Sequence, residues 1–303
     1  MDVREAALSA AASPGARTGP VAVLLVSAVM WGFWWAPVRL LEDAGLGGAW
    51  VSVGMAAGGL AAALALLPFA RNPISPRGLA GAALVGVAVT TYTLAVTWTD
   101  FVRAVLLFYA APAWSTLIEC AFMGRRWSLR ALLAIGLSIS GLIAVSGGEV
   151  AMDGLGAAGD WLALLGGVAW ASGAALLSTA RAAGIERLIV AGMASALVVA
   201  LLAAALAGGE AATAPPAWSG ALVLAALGAG AYLVASMGGA LWGAARLTPT
   251  VATYLLSVEV LAGVAGAALI LREPFGWNVI AGGALILGAI VVEMTRPADP
   301  VPA

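Results

Sequence analysis

Residues Leu247 to Asn278 read LTPTVATYLLSVEVLAGVAGAALILREPFGWN, and this stretch decides the fold. From Thr248 to Leu271 it is apolar over the length a helix needs to cross a bilayer, and that span carries a single carboxylate, Glu259, near its middle. At 1.5 Å per residue, a helix starting at Thr248 places Glu259 about 16 Å into a hydrocarbon layer ~30 Å thick. An acid at that depth costs roughly 2.5–3.5 kcal/mol on insertion scales. Glu259 is therefore expected to face protein or water and is the first functional candidate in the chain. A protonated Glu held by a structural hydrogen bond is the alternative. Thr250, Thr253, Tyr254 and Ser257 precede it at helical spacing, a polar stripe for which a lipid-facing surface has no use.

The rest of the 303-residue chain fits this reading. It is 63% hydrophobic and 10% charged, with 39 glycines, which is polytopic membrane composition and excludes a soluble globular fold. There is no histidine, which removes the commonest metal ligand and the commonest general base at neutral pH. The one cysteine, Cys120, lies in an apolar segment and cannot form an intramolecular disulfide. No catalytic residue, metal site or cofactor is expected.

Ten apolar segments follow one another, at about 20–41, 49–69, 78–97, 101–123, 129–147, 159–180, 188–207, 219–244, 248–271 and 276–295. The predicted fold is all-α, with ten transmembrane helices. Residues 1–19 read as a disordered tail and 297–303 as a short C-terminal tail. Lysine is absent, and the arginines set the orientation. Eleven of the fourteen fall in the tails and even-numbered loops, while Arg39, Arg103 and Arg272 border the odd-numbered ones. That bias predicts that both termini are cytoplasmic.

Laid on itself, the chain repeats after five segments. SAVMWG at Ser27–Gly32 matches GGVAWA at Gly166–Ala171, aligning Trp31 with Trp170. LLFYAAPAW at Leu106–Trp114 matches YLLSVEVLA at Tyr254–Ala262. The halves are 20–147 and 159–296, and an odd number of spans per half inverts the second copy. Such a fold places its site near the midplane, between the halves.

With these features the chain resembles the drug/metabolite transporter superfamily, whose members are built from two EamA repeats. The resemblance rests on Trp31–Gly32, on Trp170, on the Glu and Pro of the last span but one in each repeat, and on the turn after it. The first repeat keeps Pro112 but has Ala111 in place of Glu; the second keeps Glu259 but has Val260 in place of Pro. The turns read Gly124–Trp127 and Arg272–Phe275. Arg103–Leu117 and the aromatic content are most similar to bacterial exporters of aromatic amino acids of the YddG type. The resemblance implies a central cavity, alternating access, an inner-membrane location with the bilayer as surroundings and a small-molecule substrate. The short loops leave no room for a nucleic-acid-binding module, so no nucleic-acid partner is expected, and the small-residue spacings Gly54/Gly58 and Gly239/Gly243 read as packing within one bundle, so a monomer is expected over a dimer.

The candidate substrate contacts are Ser27, Trp31, Tyr92, Tyr109, Trp170, Tyr232, Tyr254, Ser257 and Glu259. Interior aromatics would hold an apolar side chain by stacking, and the hydroxyls and Glu259 would hold its polar ends. Pro112 and Pro37 are candidate hinges, because each removes a backbone hydrogen bond within a span. Glu119 lies near a span end and is expected to reach the interface. The expected function is export of amino acids with aromatic or large apolar side chains. The rival readings are a broad drug or metabolite exporter and, remotely, a membrane-embedded enzyme.

Overall fold

The computed structural model describes residues 14–99, 101–145, 158–180, 184–206, 217–270 and 276–295. Among the features anticipated above, residues 1–13, Arg272–Phe275 and the C-terminal tail lie outside them. The described chain is all-α apart from a 3-10 turn at Leu67–Phe69. Its helices are α1 (Pro14–Gly32), α2 (Trp35–Asp43), α3 (Ala49–Leu64), α4 (Pro76–Trp98), α5 (Phe101–Phe108), α6 (Ala111–Phe122) and α7 (Leu129–Val145). They continue with α8 (Ala158–Thr179), α9 (Ile185–Leu206), α10 (Gly220–Ala244), α11 (Pro249–Leu256), α12 (Val258–Ile270) and α13 (Trp277–Met294). Helix starts follow local chemistry: the side chains of Ser75, Ser219 and Thr248 accept from Gly78, Leu222 and Val251 N–H, and Pro76 and Pro249 open α4 and α11.

The expected count of ten transmembrane helices is corrected here. Six helices are long and apolar enough to cross a membrane, or seven if the bent pair α1–α2 is one span. The remaining apolar segments are interrupted or short. α5 and α6 together cover the fourth segment, α11 and α12 the ninth, and α7 has 17 residues. The first helix also starts at Pro14, so residues 14–19 are helical where a tail was expected.

The interruptions have identifiable causes. Pro37 and Pro112 have no N–H to offer the carbonyls of Phe33 and Phe108, four residues back, and helices break at those points. The first break bends the chain by 41°. At the third break the chain tightens instead: Ser257 N–H donates to Tyr254 O at 3.1 Å and Val260 N–H to Ser257 O at 3.2 Å. The Ser257 hydroxyl bonds back to Thr253 O at 3.4 Å. In the repeat alignment Phe108 falls opposite Leu256, and a helix ends at each.

Taking the ten apolar segments in order, the helix contacts map onto themselves when each number is advanced by five. Segment 3 packs on 6 and 8 on 1; 2 packs on 8 and 7 on 3; 4 packs on 6 and 9 on 1. The pairs 5–10, 2–7 and 4–9 map to themselves. In lipid, helix association depends on close packing rather than on expulsion of water, and small residues make the seams. A Cβ on Gly141 would stand 2.7 Å from Gly282 O, and one on Gly81 would stand 3.0 Å from Gly173 O. Gly58 presses on the Ala226 carbonyl, and Gly230 presses on the backbone of Gly58 and Gly59.

Gly58→Ala is expected to lower stability by about 1–3 kcal/mol, the usual cost of overpacking, because its methyl has no space beside Ala226. Gly228→Ala, with nothing within 4 Å of the added carbon, is the matched control. Thermal unfolding in detergent should separate the two; equal midpoints would refute a tight backbone seam between α3 and α10.

Candidate functional site

Glu259 opens α12 just past the third break and is 7% exposed. The hydroxyls of Tyr92 on α4 and of Tyr109, in the gap between α5 and α6, face its carboxyl within hydrogen-bonding reach. Phe108 wedges between the two tyrosines, its ring 4.6 Å from Tyr92 and 5.5 Å from Tyr109, edge-on to the latter. Gly166 and Gly167 of α8 make room for it: a Cβ on Gly167 would stand 2.7 Å from Phe108 O. Tyr109 also donates to Leu256 O at 3.3 Å.

Trp31 lies beside this group. The neighbouring Gly32 packs so closely on α12 that a Cβ there would stand 2.6 Å from Glu259 O. The Trp31 ring stacks on that of Trp34, with centroids 4.7 Å apart and planes 1° from parallel. Both indole N–H groups are buried without a partner. Tyr232 hydrogen-bonds to Met30 O, and Ser27 is buried under Gly239.

Three expected contacts belong to a second group instead. Trp170 donates to the Thr253 hydroxyl at 3.0 Å, which also pairs with Ser115 at 2.8 Å. Ser257 caps its own break, and Tyr254 is directed to a charged cluster. That cluster, missed in the sequence, is built on Arg125, which is 8% exposed. Its guanidinium bonds Glu119 at 2.7 Å, the Thr250 hydroxyl at 2.7 Å and Glu293 at 3.0 Å. The other oxygen of Glu119 accepts from Thr250 N–H at 2.8 Å. Glu119 is therefore buried rather than directed to the interface, and the cluster pins α6, α11 and α13 together. Burial opposes the charge of Arg125, which lies in the turn after α6, but its bonds to the two carboxylates outweigh burial and raise its pKa.

Where a central cavity is expected, the packing is closed. Tyr109 and Tyr254 are among the largest fully buried side chains. A narrow cleft remains between α3 and α4, lined by Trp34, Ser52, Met55, Val89, Thr90 and Thr93, with Ala196 and Leu233. Among the described residues no three His, Cys, Asp or Glu side chains converge as a metal site.

No protein-family model and no curated protein matches the chain. Solved structures do match it. One, described as "Crystal structure of protein", superimposes with a TM-score of 0.69 at 16% identity, over 92% of this chain and 99% of the other. At that identity the likeness establishes a shared fold and nothing about activity.

Arg125→Met is expected to cost about 3–5 kcal/mol, because two buried carboxylates lose their cation. The triple variant Arg125→Met/Glu119→Gln/Glu293→Gln should regain most of that loss. Resistance to denaturation in detergent measures both; a triple variant no more stable than the single would show that charge burial is not the cause.

Proposed function

We propose that the chain is a secondary transporter of a bacterial inner membrane that exports small organic solutes, specifically amino acids with aromatic or large apolar side chains. It moves them by alternating access, without covalent chemistry, as a monomer with both termini in the cytoplasm. The observation that carries this reading is the convergence of Glu259, Tyr92 and Tyr109 at two helix breaks that match in the repeat alignment. Interrupted helices at membrane depth are tolerated where protein surrounds them or a cavity opens, and transporters use such breaks to bind substrate.

In this reading the apolar segments form two inverted halves, 20–147 and 159–296. The self-mapping contact pattern supports that division. Rocking of one half on the other opens the centre alternately to each side, with the breaks at Pro37 and Pro112 as the points of bending. Membership of the drug/metabolite transporter superfamily, and the likeness to aromatic amino-acid exporters, remain part of this proposal. Export of lipophilic cations is the second reading, favoured by a lone acid among aromatic rings.

Reconstituted into liposomes, the protein should carry leucine or tryptophan saturably. Glu259→Gln should abolish the pH-dependent part of that transport, since the amide has no proton to exchange. Movement of a cationic dye alone would replace the amino-acid reading with the second one, and pH dependence surviving in Glu259→Gln would exclude Glu259 as the proton carrier.

A further inference from the structure

An amino acid held at Glu259 by its ammonium group must also place its carboxyl end, and the interior offers that end no free cation. Among the side chains the structure describes, Arg125 is the one buried arginine, and it is engaged by Glu119, Glu293 and Thr250. What the interior does offer is a set of buried side-chain donors without a partner, and two of them, the indoles of Trp31 and Trp34, lie stacked together. Trp31 is 8% exposed and Trp34 is 7% exposed, and neither indole N–H has a partner. A buried donor left unpaired is costly, so two stacked side by side call for an explanation.

Trp34 supplies it, because its ring forms one wall of the cleft whose other walls carry Ser52, Thr90 and Thr93. The Thr90 proton is committed to Ala196 O at 3.2 Å and the Thr93 proton to Val89 O at 2.8 Å. Donation into the cleft therefore falls to Trp34 and Ser52, with the Trp31 indole stacked against Trp34 beside it. No charged side chain lines it. The stacked pair flanks Gly32, with Trp31 directly before it and Trp34 two residues after, and Gly32 packs on the backbone of Glu259. In the closed packing the cleft has room for about one water, so a ligand occupies it when the halves rock apart.

We propose that Trp31, Trp34 and Ser52 form a neutral acceptor subsite that binds a carbonyl oxygen of the substrate, so that the transported class is α-amino carbonyl compounds, with amides and esters of amino acids accepted beside the free acids. The inference rests on the transport reading above and deepens it. A site built on a cation would demand a carboxylate, because an uncharged group would leave the cation buried and unpaired. A site built on indole N–H groups makes the same hydrogen bonds to an ester, an amide or an acid. A simple amine of the same side chain brings no acceptor and leaves both donors unsatisfied.

The test is competition against labelled leucine in proteoliposomes, using leucine, leucinamide, leucine methyl ester and isoamylamine. The amide and ester should compete within about tenfold of leucine, and the amine should be weaker by about a hundredfold, the loss of two hydrogen bonds at roughly tenfold each. Trp34→Phe keeps the stacked ring and removes one donor. It should raise KM for leucine and leucinamide about tenfold, leave Vmax unchanged and narrow the gap to the amine. An amide that fails where leucine competes would overturn the neutral subsite while leaving the transport reading intact. So would discrimination unchanged in Trp34→Phe. Failure of leucine itself to move would instead overturn the transport reading and this inference with it. Should Trp34→Phe fold poorly, the ranking of the competitors on the unaltered protein decides alone.

Discussion

The carbonyl of Leu256 sets the terms for the centre of this molecule. Where the ninth apolar segment breaks, Val260 N–H turns to Ser257 O and leaves Leu256 O without its helical partner. In a hydrocarbon layer such a group costs several kcal/mol unless something else donates to it. The donor is Tyr109, which sits at the matching break of the other repeat. One break thus completes the other. The requirement buries Tyr109, brings Phe108 against Gly166 and Gly167, and aligns the tyrosine oxygen with the carboxyl that follows the break. Neither half of the chain provides this arrangement alone.

Much of that architecture is legible in the sequence. The all-α character, the apolar segments and the isolated, buried Glu259 follow from composition and spacing. The count of continuous helices was overestimated because a hydropathy run does not register a break: Ser257 interrupts its segment without a proline or any loss of apolar character. Residue grouping failed for a geometric reason. Tyr254 and Glu259 are five residues apart, about 140° around a helix, and Ser257 and Glu259 are two apart, about 200°. The Thr253 stripe and Glu259 therefore look in different directions even before the break is considered. The stripe meets Trp170 and Ser115, while Glu259 meets Tyr92 and Tyr109.

The Arg125 cluster lay beyond sequence reasoning for another reason. Its members come from α6, the turn after it, α11 and α13, joined by hydrogen bonds that span up to 168 positions. A charge count assigns Arg125 to a basic loop, and a depth count sends Glu119 to the surface. Only the packing of α13 beside α6 and α11 turns them into one buried unit. Trp34 was passed over because it belongs to a dense tryptophan run, Trp31, Trp34 and Trp35, in which the ring that lines the cleft is fixed by the bend at Gly32.

The Arg125 cluster also divides into near and far contacts. Glu119 and Arg125 are six residues apart, so their pair lies within one apolar segment and its turn. Thr250 and Glu293 lie more than a hundred residues further along the chain. Their bonds to the same guanidinium tie that turn to α11 and α13, so a single side chain joins stretches of sequence that are otherwise remote.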